Sequence, residues 1–144
     1  MQILNRKAHF NYNVEEEIEA GIILLGSEVK SIREGKANIA ESYITEKKGE
    51  IFLINSHIST YKGANRFNHE ERRERKLLLK KKETQKLIGK INEKSYSAFP
   101  LKIYFNNRGF AKVLIGIGRG KKLYDKRETI KKRDENRRIQ RGED

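Results

Sequence analysis

No cysteine occurs among the 144 residues, which removes a disulfide framework, a thiolate nucleophile and a cysteine zinc site. Long apolar runs are missing too, since none approaches the roughly 18 residues of a membrane span. The start, Met-Gln-Ile-Leu-Asn-Arg-Lys, lacks the apolar centre of a secretory signal, and the chain reads as cytoplasmic. Histidine is scarce and scattered at His9, His57 and His69. Without the His-Glu-x-x-His spacing or a second ligand type nearby, no metal or other cofactor is expected. Apolar residues are also thin, at 35% against 37% charged. An average soluble domain carries roughly 25% charged residues, so part of this chain must lie outside any core.

Basic charge is abundant, and its placement says more than its total of +13. Residues 1–65 hold 8 basic and 9 acidic side chains, whereas residues 66–90 hold 10 and 4. Residues 91–118 hold 4 and 1, and residues 119–144 hold 11 and 6. Two basic blocks on a near-neutral body form an electrostatic footprint for nucleic acid. A solubilising surface is the plainer reading of each block taken singly.

Apolar alternation predicts strands over 9–16 and 18–24. Gly26 then ends the run, and Ser27 suits the N-cap of a short helix that stops at Gly35. Runs over 39–45 and 51–58 flank Lys47-Lys48-Gly49-Glu50, which predicts a hairpin. Residues 60–70 break every periodicity and read as an exposed loop. Leu87, Ile88 and Ile91 share one face of a helix over 80–94, with Lys80, Lys81, Lys82, Lys86 and Lys90 around the rest. Those lysines suit either solvent or phosphate. A second hairpin follows, from strand 99–105 through Asn106-Asn107-Arg108-Gly109 to strand 110–117. The fold class is therefore mainly β: a closed or nearly closed antiparallel barrel of about six strands with flanking helices over residues 1–120.

Residues 121–144 form a basic C-terminal tail. From Lys121 to Arg141 the apolar residues are Leu123, Tyr124, Ile130 and Ile139, too few for a core. Glu128 with Lys132, and Asp134 with Arg138, are acid-before-base pairs that support a helix. The tail reads as a latent helix, disordered when free and ordered by a polyanion. The junction Gly118 to Arg127 carries five basic side chains, glycines that admit a phosphate, and Tyr124 to stack on a base.

Other chemistries find weaker support. Gly116-Ile-Gly-Arg-Gly lacks the spacing of a phosphate-binding loop. Glu15-Glu16-Glu17 with Glu19 suggests the carboxylate cluster of a metal-dependent nuclease, yet strand alternation sends neighbours to opposite faces, and a solvated strand edge explains the run. Glu19 itself lies opposite the face of Ile18, Ala20 and Ile22. There it is either an ordinary surface glutamate or an acceptor for base amino groups.

Asn5-Arg-Lys-Ala-His-Phe, Glu19-Ala-Gly-Ile, Gly26-Ser-Glu-Val-Lys-Ser-Ile-Arg-Glu-Gly-Lys-Ala-Asn, Arg75-Lys-Leu-Leu-Leu, Pro100-Leu-Lys-Ile-Tyr-Phe and Gly120-Lys-Lys-Leu-Tyr-Asp-Lys-Arg together resemble the SsrA-binding protein (SmpB) family. The resemblance runs collinearly over essentially the whole chain. It implies that the six-stranded antiparallel barrel is OB-like, and that the protein is a non-enzymatic adaptor of trans-translation that binds the tRNA-like domain of transfer-messenger RNA (tmRNA) and delivers it to stalled ribosomes. Glu19, Leu78 and Lys112 match its tmRNA-contact positions, and Asn5, Arg6, Lys7, Lys36, Arg75 and Lys76 fall in its motifs as further RNA-binding candidates. Gly120, Lys121, Lys122, Tyr124, Asp125, Lys126, Arg127, Lys131, Lys132 and Arg133 would serve the decoding centre and empty mRNA channel, the tail becoming helical on the ribosome. Tyr124 stands where many members have histidine, which preserves stacking but not a titrating imidazole. Implied partners are tmRNA, the ribosome with its decoding-site rRNA, and elongation factor Tu through aminoacylated tmRNA, with no membrane. The alternatives are a general OB-type structured-RNA or ribosomal RNA-binding protein, and the nuclease.

Overall fold

A computed structural model describes residues 2–63 and 68–121, together with Arg127, Ile130, Lys131 and Arg133. Its strands are β1 (Gln2–Leu4), β2 (Tyr12–Ile22), β3 (Ala37–Asn38), β4 (Tyr43–Lys47), β5 (Glu50–Ile54), β6 (His57–Ile58), β7 (Arg75–Leu78), β8 (Tyr96–Phe105) and β9 (Ala111–Gly120). Three helices join them: α1 (Ala8–Asn11), α2 (Gly26–Arg33) and α3 (Lys81–Ile91). Seven strands form one antiparallel sheet in the order β1-β8-β9-β2-β7-β5-β4, and β3 pairs with β6. At its far edge β4 comes back alongside β8 without ladder pairing, curling the sheet towards a barrel.

The inner face follows from period two. Ile18, Ala20 and Ile22 of β2, Val113, Ile115 and Ile117 of β9, and Ile103 of β8 are all buried in one core. Ile32 of α2 and Leu87 of α3 close that core from above. A smaller cluster of Ala8, Phe99 and Leu101 lies under α1, with Tyr12 stacked on Phe99 at 4.1 Å between centroids.

Turn chemistry sets the register. Lys48 and Gly49 both take positive φ, 53° and 80°, giving the two-residue link of the β4–β5 hairpin. Asn106 Oδ1 accepts from the N–H groups of Arg108 and Phe110, which shapes the β8–β9 turn. Gly118 sits opposite Val14, where the β2–β9 register shifts, and a Cβ there would lie 1.9 Å from the Asn13 carbonyl oxygen. Only glycine permits that approach.

Several expectations change in detail. Six strands become seven plus a separate pair, because β1 and β7 are shorter than a periodicity signal resolves. The expected strands 9–16 and 18–24 are one strand, β2, continuous through a bulge at Glu15, while His9 and Phe10 belong to α1. Leu25 rather than Ser27 is the N-cap of α2, its N–H donating to Glu28 Oε1 at 2.8 Å. The Ser27 hydroxyl is instead bonded to the buried His69 ring at 2.8 Å. Ile39 is fully buried but lies between strands.

Candidate RNA interface

β2 carries Glu19 to the outer face because its neighbours Ile18 and Ala20 turn inward. Two residues on, Gly21 is paired to Leu78 of β7 on one side and to Lys112 of β9 on the other. Leu78, Gly21 and Lys112 thus form one row across three strands, with Glu19 in the adjacent row. Gly21 has no side chain to fill the middle, so the row encloses a groove of about 480 Å³ lined also by Leu79, Lys80 and Glu83. Three candidates spread over more than 90 positions of sequence are brought to one site.

The polarity of the groove is mixed by construction. Leu78 is half exposed, an apolar surface beside a cation and a carboxylate. Lys112 has no salt-bridge partner among the described residues. Tyr104 faces Lys112 across the β8–β9 ladder and donates its hydroxyl to Glu19 Oε2. Burial, then the hydrogen bond and charge of Glu19, push the Tyr104 phenol up to about 12. The phenol is a donor at neutral pH and fixes one of the two carboxylate oxygens. Tyr104 was not among the sequence candidates. Alternation places it on a polar face, but nothing local links it to a glutamate 85 residues away.

The remaining body candidates divide. Arg6 is exposed, Lys7 pairs with Glu41 at 2.9 Å, Lys36 with Glu34 at 3.1 Å and Lys76 with Glu50 at 3.2 Å. These pairs sit in solvent and open at little cost. Asn5 is buried, its Nδ2 donating to the Pro100 carbonyl at 2.8 Å. Arg75 is the correction: it is wholly buried, and no part of its guanidinium faces solvent. Its Nε donates to Glu28 Oε2 at 2.7 Å, Nη1 to the Ser56 carbonyl at 2.8 Å and Nη2 to the Glu71 carbonyl at 3.2 Å. Burial opposes ionisation of Glu28, but hydrogen bonds from Arg73 and the Leu25 N–H, with the Arg75 charge, hold its carboxyl below the usual range. Arg75 supports the strands that carry the groove and does not line it.

Two helical lysines are likewise engaged within the body: Lys86 pairs with Glu16 at 2.9 Å and Lys90 lies over the Tyr96 ring at 4.5 Å. Lys81 and Lys82 are exposed. The acidic run is not a sheet edge throughout, since Glu16 and Glu17 pair with β9, although no strand pairs their other side. Among the described residues no group of three or more His, Asp or Glu side chains converges as a metal site.

The first residues of the junction, 118–121, are tied to the body. Gly118, Arg119 and Gly120 belong to β9, Arg119 lies over Tyr96, and the Lys121 N–H donates to the Asn11 carbonyl at 2.8 Å. A Cβ on Gly120 would meet nothing within 4 Å, so the body does not require glycine there. Arg127, Lys131 and Arg133 are helical, and the Arg133 guanidinium lies 5.5 Å from the Phe10 ring centroid. Lys122, Tyr124, Asp125, Lys126 and Lys132 lie outside the described residues, as does most of the stretch expected to be disordered when free.

Comparison with known proteins gives the same answer along the whole chain. The family model described as SmpB protein matches residues 2–143. An SsrA-binding protein of Sinorhizobium fredii is 61% identical over 133 residues, covering 92% of this chain and 84% of that protein. One from a Wolbachia pipientis of Culex pipiens is 62% identical over 130 residues, covering 90% and 87%. Among solved structures, a chain of "tmRNA-SmpB: a journey to the center of the bacterial ribosome" superposes with a TM-score of 0.73 at 45% identity, covering 90% of this chain and 94% of that one. With its antiparallel body, its convergent outer groove and a family match from end to end, this chain belongs to the SmpB family of SsrA-binding proteins.

Proposed function

We propose that this protein is a tmRNA-binding adaptor of trans-translation. The body, residues 1–120, binds the tRNA-like domain of tmRNA on the groove of Glu19, Leu78 and Lys112 and carries it to stalled ribosomes. The basic tail, residues 121–144, enters the decoding centre and empty mRNA channel as a helix, with Gly120 and Tyr124 nearest the rRNA. The observation that carries this reading is the convergence of those three side chains from β2, β7 and β9 into one groove. There Lys112 supplies affinity to a phosphate, Leu78 an apolar contact to sugar or base, and Glu19, held by Tyr104, an acceptor that favours some bases over others. The protein acts as a binding adaptor without catalysing a reaction, works in the cytoplasm, and meets elongation factor Tu through aminoacylated tmRNA.

The test is a gel shift of the full chain with the tRNA-like domain of tmRNA at stated salt, competed by tRNA and by an unrelated structured RNA. Preference for the tmRNA domain, lost in Glu19→Ala and Lys112→Ala, is expected. Equal competition by all three RNAs supports the general structured-RNA reading instead, and magnesium-dependent cleavage of bound RNA supports the nuclease.

A further inference from the structure

The two halves of the groove are fixed unequally. Glu19 and Lys112 stand on β2 and β9, which are laddered through nine paired positions from Tyr12 to Gly21. Leu78 stands on β7, which pairs with β2 at only two, Gly21 with Leu78 and Ile22 with Leu77, followed by the Ile23 N–H donating to the Lys76 carbonyl at 3.0 Å. On its other side β7 pairs with β5 from Arg75 to Leu77, so the ladder there stops short of Leu78. The one ladder partner of Leu78 is Gly21, and a Cβ built on that glycine would lie 3.4 Å from the Leu78 Cβ. So short a ladder leaves the placement of β7 against β2 weakly specified, and any shift of β7 moves Leu78 while Glu19 and Lys112 stay in place.

Arg73 closes the open end of that ladder. It lies two residues before β7, and its Nη2 donates to the Ile23 carbonyl at 3.3 Å, just past the end of β2, and to Glu28 Oε1 at 2.6 Å. The same Glu28 oxygen accepts from the Leu25 N–H at 2.8 Å. A single guanidinium thus ties together the exit of β2, the entry to β7 and the first turn of α2. Arg75 also binds Glu28, but its other bonds run to Ser56 and Glu71, away from the exit of β2, so neither arginine replaces the other. On charge alone Arg73, in a basic block and 30% exposed, would be assigned to phosphate. Its geometry argues otherwise: Nε is buried, Nη1 donates to the Glu74 carbonyl at 3.4 Å, and Nη2 is shared by two acceptors.

We infer that Arg73 is a positioning residue of the groove: by pinning β7 to the exit of β2 it fixes Leu78 against Glu19 and Lys112, and it touches no RNA itself. The inference rests on the tmRNA-binding reading, but its first test needs no RNA.

Full-length Arg73→Met is compared with wild type at a temperature where urea unfolding shows both to be folded. In NMR spectra of the free proteins, the Gly21 amide and Leu78 methyl resonances should move, while the methyl resonances of Val113 and Ile115 on β9 stay. Unmoved Gly21 and Leu78 resonances overturn the inference. Affinity for the tRNA-like domain of tmRNA is then measured over a range of salt. Arg73→Met should bind roughly fivefold more weakly, the scale of one net hydrogen bond, with the salt slope of wild type. A slope flatter by about one unit makes Arg73 a phosphate contact instead. Combined with Leu78→Ala, Arg73→Met should add little to the loss from Leu78→Ala alone, since the arginine acts through that side chain, whereas its effect should multiply with that of Lys112→Ala. Losses that multiply with Leu78→Ala place the action of Arg73 elsewhere in the fold and overturn the inference. Arg73→Lys keeps the charge and can still pair with Glu28; it carries the same test, with the same dependence on Leu78, if Arg73→Met does not fold. A wild type without preference for the tRNA-like domain sinks the tmRNA assignment and leaves the spectra to decide Arg73. A preference and affinity that Arg73→Met shares in full sink this inference alone.

Discussion

Arg75→Met separates a structural from an RNA-contacting arginine at a position where sequence favoured the latter. Arg75 and Glu28 are both fully buried, and Arg75 also donates to carbonyl groups of Ser56, Glu70 and Glu71. Methionine fills much of the volume but leaves Glu28 held by Arg73 and the Leu25 N–H alone. Breaking a buried pair from one side typically costs about 3–5 kcal/mol. At roughly 2–4 °C per kcal/mol for a domain near this size, the melting temperature should fall by about 6–20 °C. The loss should depend on pH in a defined direction. Glu28 is held below its ordinary value, so its contribution is full above the unfolded carboxyl pKa and disappears as pH falls through the lower folded value. The gap between wild type and variant should therefore narrow on acidification below about pH 4.5. Urea denaturation at several pH values, with a tmRNA gel shift at a temperature where both proteins are folded, gives the answer. A variant with an unchanged midpoint and lost RNA affinity would refute the reasoning and return Arg75 to the interface.

Lys112→Ala should leave stability nearly unchanged, weaken binding to the tRNA-like domain and flatten the salt slope by about one unit if the lysine meets a phosphate; gel shifts from 50 to 300 mM salt, on the order of the range where such slopes are read, decide it. Tyr104 should titrate near 12 by tyrosinate absorbance, and Glu19→Gln should bring it down towards 10, since part of the elevation comes from that carboxylate. With the folded pKa raised, the Tyr104 contribution is present below about pH 10 and lost as pH rises through 12. Gly118→Ala should cost about 3 kcal/mol or more in denaturant unfolding, because its Cβ meets the Asn13 backbone, whereas Gly120→Ala should leave the body unchanged and impair only peptide tagging on ribosomes. Deleting residues 121–144 should keep tmRNA binding while tagging is lost; a large fall in affinity would make the tail part of the primary RNA site.

Much of this was legible because it is local. Lys48-Gly49 announces its hairpin through the backbone angles it must adopt, and the alternation over 99–105 and 110–117 survives as β8 and β9. The groove was legible only through the resemblance: alternation placed Glu19 opposite Ile18 and Ala20, but the pairing of Gly21 to both Leu78 and Lys112 is a fact of long-range register. Arg75 misled for a physical reason. A cation in a basic block reads as surface, and its partner Glu28 lies 47 residues away on a helix whose own pattern does not mark it as buried. The β2 bulge was hidden because one extra residue shifts the apolar period and makes a single strand look like two.

On the proposed reading, the placement of the groove gives a basic protein a means of selecting among RNAs. Charge alone binds any polyanion and weakens uniformly with salt. Here the cation, the apolar side chain and the carboxylate stand on β9, β7 and β2, the inner strands of the sheet, so their spacing is set by ladder hydrogen bonds and not by loops. Tyr104 extends that fixation by one strand, holding Glu19 through a phenol that stays protonated well above neutral pH. The other cations divide by what they touch: Lys86 and Lys90 are engaged with the body, while Lys81 and Lys82 stand free in solvent at the start of α3. A negative side chain fixed inside a positive field lowers affinity for every RNA that cannot offer it a donor. Selectivity should then depend on Glu19 and Tyr104 more than affinity does. Tyr104→Phe should narrow the preference for the tRNA-like domain over competitor RNA while changing the salt slope little, and an undiminished preference would place the discrimination elsewhere.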